Sequence, residues 1–373
     1  MDIMKENPGS EGAVFALRDL YSRYGYARFK MSKFEEYDLY ARNKSFLRGD
    51  SIITFTAEGG RLMALRPDVT LSIVKNARDG SETKKVYYTE NVYRESKGSH
   101  EISEIMQVGL ECIGEIDLYQ TGEVILLAVQ SLATIGENYI LDISHMGFLS
   151  ALLDEAGAEG DVRDALIGCI RDKNAHGIAA VCKDAGIADD ACARLTTAAT
   201  LYGPFAEAIG KLRAISVGKA ENDALDELEA VHAVLEAAGC AEHVNLDFST
   251  VNDMSYYNGI ILSGFIEGIP DAVLAGGRYD NLLAKMGKEG GAIGFAVYLD
   301  LLERYNTPER GSDADILLLY DEDTDAVALT RAVKMLGESG KTVRAQRRIP
   351  EGFRCRQLLA MKDRGLEILE THD

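Results

Sequence analysis

A helix-forming segment separates two strand-forming regions of this sequence, and this alternation limits the folds that the chain can adopt. Over residues 148–239, alanine, leucine and acidic residues dominate, strand formers are sparse, and glycines divide the segment into short stretches. Runs rich in β-branched, tyrosine and other apolar residues precede it at 85–94 and 105–113 and return at 244–248. We therefore predict one sheet whose strands are interrupted in the sequence by a helical insertion.

The remaining patterns predict helices and strands on both sides of the insertion. Apolar residues spaced by three and four predict a helix over 10–24, and Pro67 with capping side chains precedes a helix over 71–77. Runs 85–94 and 105–113 are predicted to pair as antiparallel strands. The other predicted elements are strands at 52–56, 62–65, 139–144, 256–265 and 292–297 and a helix at 119–135.

The C-terminal residues have a shorter pattern of their own. Residues 316–320, 326–336, 342–345 and 354–361 predict a small β-α-β-α series. We therefore divide the chain into a first core part at 1–147, the helical insertion at 148–240, a second core part at 241–307 and a small α/β segment at 314–373.

Charge and cysteine usage exclude several classes of protein. Sixty acidic and forty basic residues give a net charge of −20, and such a surface repels a phosphate backbone, so we expect no nucleic-acid partner. No stretch approaches the ~18 apolar residues of a membrane span, so we expect a cytoplasmic protein without membrane contact. The six cysteines lack CxxC spacing, which predicts buried, reduced thiols rather than a metal site or a disulfide framework.

The strand at 105–113 presents two different faces. Period-two alternation puts Gln107, Gly109 and Glu111 on one face and apolar side chains on the other. One interpretation is a half-solvated strand of an antiparallel sheet. The other is a floor for a small polar ligand, where Gly109 leaves room for it.

Further polar residues extend the second interpretation. Taken alone, Arg94 is typical of a surface ion pair and Asp68 of a helix cap. Together with Gln107, Glu111 and Tyr257 they supply what an amino acid needs, since carboxylates bind an ammonium, and an arginine or amide binds a carboxylate. By contrast, the glycines at 276 and 277 fit neither dinucleotide nor P-loop spacing, and no set of His, Cys and Asp has metal-ligand spacing.

Several short motifs resemble the catalytic core of histidyl-tRNA synthetases in order and spacing. They are Leu65-Arg66-Pro67-Asp68-Val69-Thr70, Asn91-Val92-Tyr93-Arg94 with Gln107-Val108-Gly109-Leu110-Glu111, Tyr256-Tyr257-Asn258-Gly259, Gly276-Gly277-Arg278-Tyr279-Asp280 and Ala292-Ile293-Gly294-Phe295-Ala296. The resemblance covers residues 10–305. Within that superfamily the chain is most similar to the ATP phosphoribosyltransferase regulatory subunits, which share aspartate at position 68 where synthetases carry glutamate. It implies an α+β fold: a class II aminoacyl-tRNA synthetase-like antiparallel sheet with flanking helices, a helical insertion and a truncated C-terminal α/β segment.

The resemblance also implies a pocket for histidine or a similar ligand. The implied pocket residues are Asp68, Thr70, Arg94, Gln107, Glu111, Tyr256 and Tyr257. Asp68, Thr70 and Gln107 would receive the ammonium and carboxylate groups of the ligand. Glu111 and Tyr257 would face an imidazole.

Two positions depart from the synthetase pattern. Asn252 stands where synthetases have an arginine that contacts the carboxylate and the activating phosphate, and Leu301 stands where an arginine holds ATP. Arg94 would lie near the carboxylate or a phosphate. Since a neutral side chain cannot replace a bidentate guanidinium, the resemblance implies that histidine activation is lost, with no catalytic residue and no cofactor.

The implied function is therefore that of a non-catalytic regulatory subunit in histidine biosynthesis. Its implied partners are the short-form ATP phosphoribosyltransferase catalytic subunit, a second copy of itself within a hetero-oligomer, and free histidine as a feedback inhibitor. Two alternatives stay open at this stage: a divergent histidyl-tRNA synthetase that activates histidine with ATP, and a synthetase-like scaffold that binds no ligand.

Overall fold

The chain forms two compact units, Met1–Asn306 and Thr307–Asp373. In the computed structural model, the described residues are 10–47, 51–77, 83–95, 101–250, 256–305, 312–362 and 365–371. The strands of the first unit are β1 (Ala27–Arg28), β2 (Phe34–Glu36), β3 (Thr54–Thr56), β4 (Leu62–Leu65), β5 (Lys84–Glu95), β6 (Ile102–Gly114), β7 (Tyr139–His145), β8 (Tyr202–Pro204), β9 (Val244–Asp247), β10 (Ile260–Ile266), β11 (Leu274–Arg278) and β12 (Gly291–Tyr298). Its helices are α1 (Ser10–Arg23), α2 (Tyr37–Arg42), α3 (Thr70–Asn76), α4 (Leu118–Ile135), α5 (Met146–Glu155), α6 (Gly160–Arg171), α7 (Ala175–Ala185), α8 (Asp189–Thr200), α9 (Phe205–Ile215), α10 (Lys219–Ala237), α11 (Asp280–Lys285) and α12 (Leu299–Tyr305).

The main sheet has the strand order β1-β5-β6-β12-β11-β10-β7-β9-β8. The central pairs of neighbouring strands, which are β5–β6, β6–β12, β12–β11, β11–β10 and β10–β7, are antiparallel. The pairs β1–β5 and β7–β9 are parallel. A smaller sheet has the order β2-β4-β3. The predicted α+β architecture with a mostly antiparallel sheet is confirmed.

Helices α5 to α10 lie in the sequence between β7 and β9 and interrupt the sheet strands. The same stretch also contains β8, which pairs antiparallel with β9 and which the residue pattern did not predict. A strand of three residues is too short to show a period-two pattern, so only its pairing with β9 defines it.

Helix α4 packs in the core of the first unit. Its start is fixed by a reciprocal cap, in which Gln120 N donates to Asp117 Oδ1 at 3.0 Å and Asp117 N donates to Gln120 Oε1 at 3.2 Å. By length and composition α4 is the one helix of the described ranges that could cross a membrane, and 61% of it is buried. It packs against β7, β10 and β12, as a core helix does.

Two predictions on the first unit need correction. The predicted strand at 256–265 begins only at Ile260, so Tyr256 and Tyr257 precede the strand. Strand β11 was not predicted, because its two glycines disfavour a strand when the sequence is considered alone. It forms here because β10 and β12 pair with it on both sides.

The second unit contains β13 (Ala314–Leu319), α13 (Ala326–Glu338), β14 (Val343–Gln346), β15 (Cys355–Lys362) and β16 (Gly365–Thr371), with the sheet order β14-β13-β15-β16. The predicted helix at 354–361 is wrong, since these residues form β15. Its residues favour helices intrinsically, but Leu358, Leu359 and Ala360 are buried where β15 pairs with β13 and β16. Burial and strand pairing therefore outweigh the helix propensity of these residues.

Candidate functional site

One cavity on a face of the main sheet is lined by all seven residues predicted to bind a ligand. Gln107 and Glu111 project from β6, and Ala275, Gly276 and Gly294 come from the neighbouring β11 and β12. The remaining predicted residues are Asp68, Thr70, Arg94, Tyr256 and Tyr257. The structure thus brings together side chains from segments up to about half the chain apart.

A buried arginine positions the segment that carries Asp68 and Thr70. Arg66 is fully buried, and its guanidinium donates to Glu90 Oε2 at 2.9 Å and to Asn91 O at 2.8 Å, both on β5. The same guanidinium donates to Ser32 O at 2.6 Å. Because these bonds tie the end of β4 to β5, the turn that follows is held over the floor formed by β6.

Glu111 lies at the centre of the site. Its carboxyl group is 2% exposed and accepts hydrogen bonds from Thr70 Oγ1 at 2.9 Å and from the Tyr279 hydroxyl at 2.6 Å. Burial raises the pKa of Glu111 to about 8, although the two hydroxyl donors lower it and nearby Asp68 raises it. The group is therefore largely protonated at neutral pH, and a ligand that donates a hydrogen bond or carries positive charge would favour its ionised form.

Tyrosines form much of the cavity wall. Burial raises the pKa of Tyr88, Tyr256 and Tyr279 well above the ordinary tyrosine range, and the charge of Glu111 contributes in the same direction. These hydroxyls are therefore neutral donors and acceptors. The rings of Tyr256 and Tyr257 meet edge to face with centroids 4.6 Å apart.

Asp68 and Arg94 occupy the rim of the cavity. The backbone N–H of Leu71 donates to Asp68 Oδ1 at 2.8 Å, which satisfies an N–H in the first turn of α3. Arg94 Nε donates to Pro67 O at 3.0 Å. Both side chains thus have local structural partners as well as positions beside the cavity.

The glycines of the site make room for other side chains. A Cβ at Gly109 would lie 2.4 Å from the Tyr88 hydroxyl, so the free space expected above this glycine is filled by Tyr88. A Cβ at Gly294 would lie 1.8 Å from Glu111 Oε2. Gly294 therefore allows the Glu111 carboxyl group to lie flat on the sheet.

The predicted half-solvated strand is also wrong for the second half of β6, because every residue from Gln107 to Gly114 is buried. One face is covered by the core helices and the other by the loops that form the cavity. The open space among the lining side chains is about 40 Å³, which fits a few water molecules at the ~10–15 Å³ that each one requires. An amino acid would enter only if side chains of the wall moved outward.

Sequence reasoning missed three tyrosines of the cavity, namely Tyr88, Tyr279 and Tyr298. Tyr279 belongs to one of the motifs that resemble the synthetases, but no residue of that motif was predicted to line the pocket. Tyr88 is the register partner of Gly109 across β5 and β6, and a large residue opposite a glycine is a signal that could have identified it.

The structure describes one of the two positions that depart from the synthetase pattern. Leu301 lies in α12 and packs, partly buried, against the hydrophobic core. Asn252 lies outside the described residues. Within the described ranges, no group of three or more His, Cys, Asp or Glu side chains could hold a metal ion.

Comparison with known proteins places these observations in a family. The histidyl-tRNA synthetase family profile matches residues 9–302. An ATP phosphoribosyltransferase regulatory subunit from Clostridium kluyveri is 30% identical over 336 residues, covering 87% of this chain and 85% of the relative.

Solved structures show the same fold. The crystal structure of an ATP phosphoribosyltransferase regulatory subunit/histidyl-tRNA synthetase from Bacillus halodurans has a TM-score of 0.74 at 26% identity, covering 90% of this chain and 88% of that one. A chain of the ATP phosphoribosyl transferase complex from Thermotoga maritima has a TM-score of 0.61 at 19% identity, covering 77% and 96% respectively.

Proposed function

The chain belongs to the histidyl-tRNA synthetase family and, within it, to the ATP phosphoribosyltransferase regulatory subunits, and from this membership we propose that it activates a short-form catalytic subunit of that enzyme and transmits feedback inhibition by histidine. It is a non-catalytic subunit of histidine biosynthesis. The observation that carries the proposal is a cavity lined by all seven residues expected to bind a ligand, together with leucine at position 301, where the resemblance implies an ATP-binding arginine in synthetases.

In the proposed complex with histidine, Glu111 recognises the imidazole. A buried carboxyl group that already accepts two hydroxyl donors has a further lone pair available for an imidazole N–H. Gln107, 3% exposed on the same face of β6, would bind the carboxylate end through its amide. Asp68 and Thr70 would receive the ammonium group from the α3 side.

Leu301 supports the non-catalytic assignment on physical grounds. Its side chain is engaged with core residues and offers no charge to a triphosphate. Phosphoryl displacement depends on cationic donors that stabilise developing charge, and removal of one such donor typically costs ~3–4 kcal/mol of transition-state stabilisation. A histidine-dependent ATP–pyrophosphate exchange activity would contradict this assignment and support the divergent synthetase.

The decisive assay measures formation of phosphoribosyl-ATP from ATP and phosphoribosyl pyrophosphate by a short-form catalytic subunit from the same genome. We expect activity to depend on this chain and to fall as histidine is added. Activity that is indifferent to the chain would overturn the proposal.

Substitutions in the cavity test whether histidine inhibits by binding there. In Gln107→Ala and Glu111→Ala we expect activation to persist while inhibition requires at least tenfold more histidine. The matched control is Glu207→Ala, which removes an exposed carboxylate on α9 far along the chain and should leave inhibition unchanged. If the melting temperature of the wild-type chain does not rise with millimolar histidine, the scaffold without a ligand is favoured, since a ligand of the native state must stabilise it.

We further propose a homodimer within the hetero-oligomer, acting in the cytoplasm. Support for the dimer comes from the small sheet, where exposed Phe34 and Phe55 contact each other edge to face with ring centroids 5.3 Å apart. Sedimentation equilibrium of the isolated chain should give twice the monomer mass. A monomer over the micromolar range would contradict the dimer without affecting the activation assay.

A further inference from the structure

One part of the cavity wall also borders open space. Residues 256–259, called the wall segment below, precede β10 and supply Tyr256 and Tyr257 to the cavity. Tyr257 and Asn258 also line a second, open cavity of about 590 Å³, which is bordered by α5 and by the start of α10. Close packing holds a segment only where other atoms touch it. Hydrogen bonds are therefore needed to fix the wall segment where it faces this second cavity.

Backbone hydrogen bonds tie the wall segment to two neighbouring stretches of chain. Asn258 N donates to the carbonyl oxygen of Arg278, the last residue of β11, at 3.1 Å. Met146 N, at the start of α5, donates to Gly259 O at 2.8 Å. The position of the wall segment therefore depends on the end of β11 and on the junction of β7 with α5.

The Asn258 side chain adds a second connection at the end of β11. Asp280 N donates to Asn258 Oδ1 at 2.9 Å, and Asn258 Nδ2 donates to Asp280 Oδ2 at 3.1 Å. Arg278 Nε donates to the same Asp280 oxygen at 2.8 Å, and Ala292 N donates to Asp280 Oδ1 at 2.8 Å. Because hydrogen bonds between charged groups are stronger than neutral ones, Arg278 and Asp280 hold Asn258 in one orientation.

Glu227, on α10 of the helical insertion, joins the two places to which the wall segment is tied. Its Oε2 lies 3.1 Å from Nε2 of His145, the residue before α5, and its Oε1 lies 3.8 Å from Arg278 Nη1. Phe148 N donates to His145 Nδ1 at 3.2 Å, so Nε2 carries the proton that is donated to Glu227. This hydrogen bond holds the pKa of Glu227 below the ordinary glutamate range despite the opposing effect of burial.

The two contacts of Glu227 differ in strength. His145 is 5% exposed, so its hydrogen bond to the carboxylate is shielded from water. In the pair of Glu227 with Arg278, the side chains are 32% and 25% exposed, and solvent weakens such a contact. The contact with His145 is therefore the stronger one.

We propose that Glu227 is a positioning residue of the cavity: through His145 and Arg278, the helical insertion holds the wall segment where it keeps the cavity narrow. The inference rests on the proposed function in taking histidine as the ligand. Histidine is larger than the open space of about 40 Å³, so it must displace the wall towards the second cavity. The free energy of this displacement reduces the apparent affinity, and a substitution that loosens the wall segment raises it.

Amide hydrogen exchange of the full chain without any ligand tests the positioning role. Glu227→Ala removes both contacts, and we expect exchange to accelerate by ~3-fold or more in peptides that cover residues 256–259 and 279–281. Peptides of β5 and β6 should exchange as in the wild type. The matched control is Glu229→Ala on the same helix, which removes a carboxylate whose partner Arg213, at 3.0 Å, belongs to the insertion itself.

Isothermal titration calorimetry with histidine then measures the consequence for the ligand. We expect the dissociation constant of Glu227→Ala to be lower than that of the wild-type chain by ~3-fold or more, and that of Glu229→Ala to be unchanged. A merely structural role of Glu227 would not give this result, because damage to a binding site weakens binding. If Glu227→Ala does not fold, Glu227→Met, which keeps the length of the side chain and removes both oxygens, takes its place in both measurements.

Faster exchange confined to the two regions, together with tighter binding of histidine, supports the proposal. Unchanged exchange in Glu227→Ala, an equal change in Glu229→Ala, or weaker binding of histidine by Glu227→Ala overturns it. If the wild-type chain binds no histidine, the proposed function fails, and the exchange measurement alone decides whether Glu227 positions the wall segment.

Discussion

The Tyr279 hydroxyl donates a 2.6 Å hydrogen bond to Glu111 Oε2 across 168 residues of sequence. The two residues lie on either side of β12, whose Gly294 is in register with both Glu111 of β6 and Gly277 of β11. A side chain at position 294 would block the contact. These residues therefore connect three strands and hold the Glu111 carboxyl group in place on the cavity floor.

Removal of the tyrosine hydroxyl should weaken both the fold and the site. Tyr279→Phe keeps the ring but leaves Glu111 Oε2 without one of its donors, and loss of a buried partner typically costs ~1–3 kcal/mol. We expect a lower free energy of unfolding in urea titrations and a further rise in the pKa of Glu111. An unchanged unfolding free energy would show that the hydroxyl contributes nothing to stability.

The pH dependence of stability should identify Glu111 as a buried acid. Its pKa is about 8 in the folded state, whereas an unfolded chain has a Glu pKa near ~4.3, so the folded state holds the proton more tightly. The stabilisation is complete below the unfolded value and is lost as pH rises to about 8. Compared with Glu111→Gln, the wild-type chain should lose ~1.4 kcal/mol per pH unit over this interval and nothing more above it. Thermal melts from pH 5 to 9 measure this difference.

A second buried acid should titrate at lower pH. Asp142 on β7 is 6% exposed, and burial followed by the nearby charge of Asp247 raises its pKa to about 6, while Lys173 lowers it. Because the folded pKa is again the higher one, stability is lost only between pH ~4 and about 6. The advantage of Asp142→Asn in melting temperature should therefore grow up to pH 6 and stay constant above it. Growth that continues to pH 8 would point to another group.

Two glycine substitutions should have opposite effects. Gly294→Ala places a Cβ 2.4 Å from the Leu110 carbonyl oxygen and in the space of the Glu111 carboxyl group, and overpacking of this kind costs ~1–3 kcal/mol. Gly210→Ala is the matched control, because this exposed glycine within α9 has nothing within 4 Å of the added atom. Since alanine is the better helix former, Gly210→Ala should stabilise by ~1 kcal/mol. Chemical denaturation of both variants provides the comparison.

The buried Arg66 should contribute far more to the free energy of unfolding than an exposed arginine does. Arg66→Met removes the donors to Glu90 and two backbone carbonyls, and breaking a buried ion pair costs ~3–5 kcal/mol. Arg171→Met removes one exposed pair with Asp172, whose side chains are 61% and 65% exposed, and should change stability by less than ~0.5 kcal/mol. Equal effects of the two substitutions would contradict the positioning role of Arg66.

The elements of this protein that depend on local residue patterns were predictable from the amino-acid sequence. Helix α4 and the long hairpin of β5 and β6 were predicted nearly to their ends, because continuous apolar runs and β-branched residues mark them. The motifs also identified seven residues that the structure brings to one cavity. Local patterns failed at β11 and β15, where pairing on both sides outweighs the propensities of glycine in one case and of helix formers in the other.

The contacts between residues from distant segments follow from the tertiary fold. Gly109 was expected to leave room for a ligand, but Tyr88 fills that space, and Tyr279 reaches Glu111 from a distant motif. The reason is physical: burial, pKa and contact depend on neighbours that the sheet register and the helix packing bring together, and no local pattern records those neighbours.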